Sequence, residues 1–114
     1  MVTDTLVQEI TQLHADICSA LADPRRILIL YTLAEQPRNV SDIAEEIGIS
    51  QPAASRHLNL LRERGMVISQ RDGHSVVYKL ADERSIQALD LLRAMLAENL
   101  KSRGQLAQAV MDTE

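Results

Sequence analysis

Apolar residues recur every three or four positions near the start of the chain, at Leu6, Ile10, Leu13, Ile17 and Leu21, with polar residues filling the other side. That spacing predicts an amphipathic opening helix, for which Thr5 and Gln8 have the pattern of a capping box. Asp23-Pro24 then supplies an N-cap followed by proline at the first helical position, so a second helix is expected up to Pro37. It is apolar on most sides and belongs at the centre. A short third helix follows, capped by Asn39 or Ser41, with Ile43, Ala44 and Ile47 inside and Gly48 at the left-handed C-terminal position. Ser50 caps the next helix, which tolerates Pro52 because first-turn N–H groups have no intrahelical partner. Two short helices joined by a glycine turn predict a helix-turn-helix over about residues 40–64.

After Gly65 the period drops to two. The runs MVISQR and SVVYKL flank Asp72-Gly73, a hairpin signal because glycine accepts positive φ and Asp tolerates it. Val67, Val76, Tyr78 and Leu80 share a face with either a two- or a four-residue loop, and the hairpin is expected as a wing over about residues 66–81. From Asp82 a long helix is predicted, with Ile86, Leu89, Leu92 or Arg93, Leu96 and Leu100 on one stripe and Ala88, Leu91 and Met95 beside it. That apolar surface is wider than one core contact needs, which points to a partner chain and, by frequency of arrangement, to a two-fold dimer. The tail after Gly104 either extends the helix or frays. The expected fold is mainly α with a small β-hairpin. It is a single winged helix-turn-helix domain over residues 1–114, homodimeric through helices at about 4–22 and 83–103.

Composition narrows the chemistry. At 114 residues, 46% hydrophobic and 25% charged, the chain has the values of one soluble domain. The longest apolar run, residues 27–31, is too short to span a bilayer, and no leader pattern opens the chain, so the cytoplasm is the expected location and no membrane is expected as a partner. The single cysteine, Cys18, excludes an intrachain disulfide and a zinc site of several thiolates from one chain. With no Trp or Phe and two Tyr, platforms for stacking single-stranded bases are missing. A nucleic-acid partner would be duplex.

On the helix after Ser50, Ala54, Leu58 and Leu61 fall on the inner side, flanked by His57 and Leu60. The opposite side shows Gln51, Ser55, Asn59 and Arg62, with Pro52 and Arg56 alongside. These side chains match base edges in a major groove, and Arg and Ser also bind phosphates. A merely solvated face is usually rich in Glu and Lys, whereas this one carries no acid and no lysine between Gln51 and Arg62. Residues 50–80 hold Arg56, Arg62, Arg64, Arg71 and Lys79 against Glu63 and Asp72, a local +3 in a chain of net charge −4. The positive field is thus concentrated where phosphate would be neutralised. Arg71 and His74 at the wing tip are candidates for backbone or minor-groove contact, set against a plain exposed turn. The competing reading is a winged-helix module whose exposed helix docks a protein. No nucleophile–base–acid set or glycine-rich phosphate loop indicates an enzyme.

The runs ALADPRRILILYTL and VSDIAEEIGISQPAASRHLNLLRERGMVISQRDGHSVVYKL resemble the ArsR/SmtB family of winged-helix repressors over about residues 15–82. The resemblance implies a homodimeric, duplex-DNA-binding repressor released from its operator by a signal. It assigns operator contact to Gln51, Ser55 and Arg56, with Arg71 and His74 adding backbone contacts. His57, on the inner side, is expected to pack or hydrogen-bond rather than touch DNA.

The family's metal sites are not matched. The segment PRNVSD holds no cysteine, no histidine follows His74, and Asp82, Asp90 and Glu98 alone are weak ligands for zinc-like ions. No cofactor is expected. Cys18 and His14, one turn apart, form the remaining candidate for redox or metal sensing. The plainer reading of Cys18 is a small buried hydrophobe at the border of the first helix's stripe.

Overall fold

Capping chemistry sets most of the helix boundaries in the structure, a computed structural model that describes residues 1–112. Helix α1 spans Asp4–Leu13 and is capped by Thr3, whose hydroxyl accepts from the Leu6 amide at 3.1 Å. The cap therefore lies two residues before the expected Thr5–Gln8 box. α1 runs on into a π-helical turn, His14–Cys18, where the Ser19 amide bonds to the His14 carbonyl five residues back. The apolar spacing that predicted one regular helix to Leu21 does not reveal this change of pitch.

Helix α2, Pro24–Glu35, starts at Asp23, whose carboxylate accepts from the Arg25 amide at 2.9 Å. It is the central helix expected, burying Ile29, Leu30, Thr32 and Leu33 and packing on α3, α4 and β3. A strand that the sequence pattern had not indicated, β1 (Arg38–Asn39), follows. Helix α3, Val40–Ile47, is capped by Asn39, which accepts from the Asp42 amide at 2.8 Å. Gly48 turns the chain at φ 73°, and both its amide and that of Ile49 bond to the Ala44 carbonyl. That left-handed residue is why glycine stands there. Helix α4, Gln51–Glu63, then starts at Ser50 and buries Ala54, Leu58 and Leu61.

Strands β2 (Val67–Asp72) and β3 (Ser75–Leu80) pair antiparallel with Val67 opposite Leu80 and Arg71 opposite Val76. This register puts Val67, Val76, Tyr78 and Leu80 on one face, as the alternation requires. Because Asp72 pairs with Ser75, the loop is Gly73-His74 rather than Asp72-Gly73, with Gly73 at φ 65° in the position that needs it. β1 adds to the other edge of β3, with Arg38 opposite Tyr78, so the wing is a three-stranded sheet of order β1-β3-β2.

The chain divides into two compact units, Met1–Glu83 and Arg84–Glu114. The core of the first is built on Ile29, Leu30, Ile43, Leu58, Leu61 and Val67, the largest fully buried side chains. In the same unit α1 buries none of its own residues; Leu6, Val7, Ile10 and Leu13 are exposed. Val2, Leu6, Val7, Ile10 and Thr11 line a 310 Å³ apolar groove along it. The second unit is helix α5, Arg84–Asp112. It continues through Gly104, nine residues past the expected end, and exposes Leu91, Leu92, Met95, Leu96, Leu100, Leu106, Val110 and Met111. No helix among the described residues is long and apolar enough to cross a membrane.

Candidate nucleic-acid interface

The burial of Ala54, Leu58 and Leu61 fixes the rotation of α4 about its axis. Its opposite side must then face outward. Gln51, Pro52, Arg56, Asn59 and Arg62 are exposed, and Ser55 is half-buried between them. Six of the eight residues singled out for nucleic-acid contact therefore lie on one helix. Gln51 is further oriented by donating from Nε2 to Ser41 Oγ of α3 at 3.0 Å. Ser41, considered in the sequence only as a cap, thus steadies the start of the outward face; neither residue's spacing signals that contact. Arg71 and His74 are exposed at the end of the hairpin, on a separate element from α4.

One cation counted in the local charge does not belong to this face. The Arg64 guanidinium donates to the Ala15 carbonyl and, at 3.0 Å, to Ser19 Oγ, with Asp16 Oδ1 at 3.9 Å. It is directed at the end of the first helical segment. Arg56, Arg62 and Arg71 carry the exposed positive charge.

His57 faces inward as expected. Its Nδ1 lies 3.3 Å from Arg26 Nη1, and its Nε2 lies 4.0 Å from Asp23 Oδ2. Burial lowers its pKa below the ordinary value; Asp23 pulls the other way, and Arg25, Arg26 and Arg56 add to the lowering. Asp23 is held down to about 2 by hydrogen bonds from the side chain and amide of Arg25. Sequence pattern found Asp23 as a cap and His57 as an inner residue, but not their meeting.

His14 and Cys18 are both exposed, so Cys18 is not the buried small hydrophobe of the plainer reading. Among the described residues no group of three or more His, Cys, Asp or Glu side chains is placed to hold a metal ion.

A capped helix pair, a glycine turn and a flanking β-hairpin define a winged helix-turn-helix protein, with the polar side of its second short helix turned outward. Residues 23–69 match the family described as bacterial regulatory protein, arsR family. The chain is 45% identical over 76 residues to the HTH-type transcriptional regulator NmtR of Mycobacterium tuberculosis, covering 67% of this chain and 63% of that protein. It is 37% identical over 75 residues to the transcriptional repressor SmtB of the same organism, covering 66% and 56%. The chain thus spans less than two thirds of either relative. A homodimeric winged helix-turn-helix DNA-binding domain from Mycobacterium bovis, described as a possible ArsR-family transcriptional regulator, superposes with a TM-score of 0.75 at 31% identity, covering 88% of this chain and 92% of that one. This chain belongs to the ArsR family of bacterial regulatory proteins.

Proposed function

We propose that the protein is a sequence-specific duplex-DNA-binding transcriptional regulator, a repressor that a signal releases from its operator, and that it works as a homodimer in the cytoplasm. The observation that carries the reading is the outward face of α4. It offers Gln51, Ser55, Arg56, Asn59 and Arg62, with no acid between Gln51 and Arg62, on a helix whose rotation is fixed by a buried core. Amide, hydroxyl and guanidinium groups read base edges and phosphates in a major groove that admits one helix. Arg71 and His74 of the wing would reach the backbone beside it. The relatives named as regulators and a repressor support the same activity.

The dimer rests on two unpartnered apolar faces. α1 exposes Leu6, Val7, Ile10 and Leu13, and α5 exposes Leu92, Met95, Leu96 and Leu100. Single surface leucines need no explanation, but contiguous rows on two helices of a small chain do. A second copy of the chain would cover such faces, and the Mycobacterium bovis neighbour is itself homodimeric. Two-fold symmetry would place two α4 helices on half-sites about one helical turn, ~10 bp, apart.

Selection of duplexes from a random pool tests this. Enrichment of a near-palindromic site with two such half-sites is expected, bound at least about 10³-fold more tightly than a scrambled duplex at physiological salt. Recovery of no shared sequence would favour the reading in which α4 docks a protein.

A further inference from the structure

Helix α4 is held at two points to the backbone that follows α1, and both attachments are made by arginine. At its C-terminal end, Arg64 reaches the Ala15 carbonyl and Ser19 Oγ. The π-helical turn bears on this contact. The Ser19 amide, which in a regular α-helix would use Ala15, bonds to His14 instead, while the Ala15 carbonyl accepts from the Ser19 hydroxyl and Arg64. In the middle of α4 the attachment is made through Arg26 of α2. Its Nε donates to the Ala20 carbonyl at 2.6 Å, its Nη2 to the Ser19 carbonyl at 3.2 Å, and its Nη1 approaches His57 Nδ1 at 3.3 Å. One guanidinium thereby joins three helical segments.

The ring of His57 completes this contact only as an acceptor. Arginine has donors and no acceptor, so Nδ1 must be unprotonated and Nε2 carries the proton, directed toward Asp23. The side chains of Arg26, His57 and Asp23 are 15%, 12% and 19% exposed, so solvent screens them poorly. Protonation at Nδ1 would set donor against donor. It would also add a cation where, among the described residues, Arg25, Arg26 and Arg56 already outnumber Asp23, the carboxylate that faces the ring. Near the other attachment the charged groups are Arg64 and Asp16, which face each other.

We propose that Arg26, His57 and Arg64 are positioning residues for DNA binding, a latch that seats the recognition helix on residues 15–20, and that protonating His57 opens the latch and weakens binding. This rests on the DNA-binding reading above. The sign follows from linkage. The seated state disfavours the imidazolium, so a released state with an ordinary histidine binds more protons as the pH falls below about 6.5. Seating is complete above that pH and is lost below it.

The test compares wild type with His57→Gln, whose side-chain oxygen accepts from Arg26 without titrating. Affinity for the selected duplex is measured from pH 8 to 5.5, together with amide exchange protection of residues 15–20 in the free protein. Relative to His57→Gln, wild-type affinity should fall by up to about tenfold per pH unit and protomer below about pH 6.5, and protection of residues 15–20 should fall with it. Parallel pH profiles for the two proteins would overturn the proposal. Arg64→Ala gives an independent reading at constant pH. Lost protection at residues 15–20 and weaker binding, with protection of Leu58 and Leu61 kept, support the latch; unchanged protection overturns it. If wild type prefers no duplex at pH 8, the DNA reading fails instead. The exchange comparison then decides the latch by itself.

Discussion

Replacing Arg56 by alanine removes one of the three exposed arginines assigned to nucleic acid, the others being Arg62 and Arg71. A dimer presents each twice, giving about six phosphate or base contacts, whereas Arg64 is excluded because Ala15 and Ser19 engage it. About six neutralised charges predict a slope of log affinity against log salt near −5, or a loss of about 10³ between 50 and 200 mM. Arg56→Ala removes two contacts, so the slope should shrink to about −3.5, with about 1–3 kcal/mol lost per protomer if the guanidinium grips a base edge. Fluorescence anisotropy with a labelled duplex over a salt series measures both. Because Arg56 is exposed on α4 and pairs with nothing in the core, the thermal midpoint should stay in place. An unchanged slope, or an affinity loss matched by a loss of stability, would refute the assignment.

Leu58→Ala, at a fully buried position of α4, should cost about 2–5 kcal/mol in denaturant unfolding, and a cost near zero would contradict the packing that fixes the outward face. Leu96→Lys should turn the dimer into a folded monomer in sedimentation velocity if α5 meets a second copy; an intact dimer would count against that interface. Cys18→Ser should leave operator affinity unchanged, and Cys18 of the Leu96→Lys monomer should react with thiol reagents without unfolding, whereas blocked labelling would show the residue covered. Asp23, with its pKa lowered to about 2 by Arg25, stabilises the fold above its unfolded value near 3.9 and loses that contribution as the pH falls toward 2. Asp23→Asn should lack this acid step in a pH series of thermal midpoints, and identical acid profiles would remove Asp23 from the account.

What could be read along the chain was local. Asp23-Pro24, Asn39, Gly48 and Ser50 punctuate helices through bonds made within four residues, and each is found where its chemistry placed it. The two-residue period of the wing survived because a register shift of two positions keeps the same residues on one face, while the loop itself moved by one residue to Gly73-His74. Features made by distant partners were not legible. β1 is two residues long and exists as a strand only through its pairing with β3. The π-helical turn is defined by which carbonyl an amide chooses, a choice that apolar spacing does not record. Arg64 counted toward the DNA-facing charge because nothing nearby in sequence claims it; its acceptors lie 49 and 45 residues earlier. The same distance hid the meeting of His57 with Arg26, 31 residues away.

The account stands most directly on whether the outward side of α4 meets a DNA groove. Isotope-labelled protein bound to its selected duplex allows magnetisation transfer from protein side chains to major-groove protons to be observed. Contacts from Gln51, Ser55, Arg56 and Asn59, with weaker ones from Arg71 and His74, are the predicted result. A bound duplex whose contacts fall on α1 or α5 while α4 stays silent would contradict it.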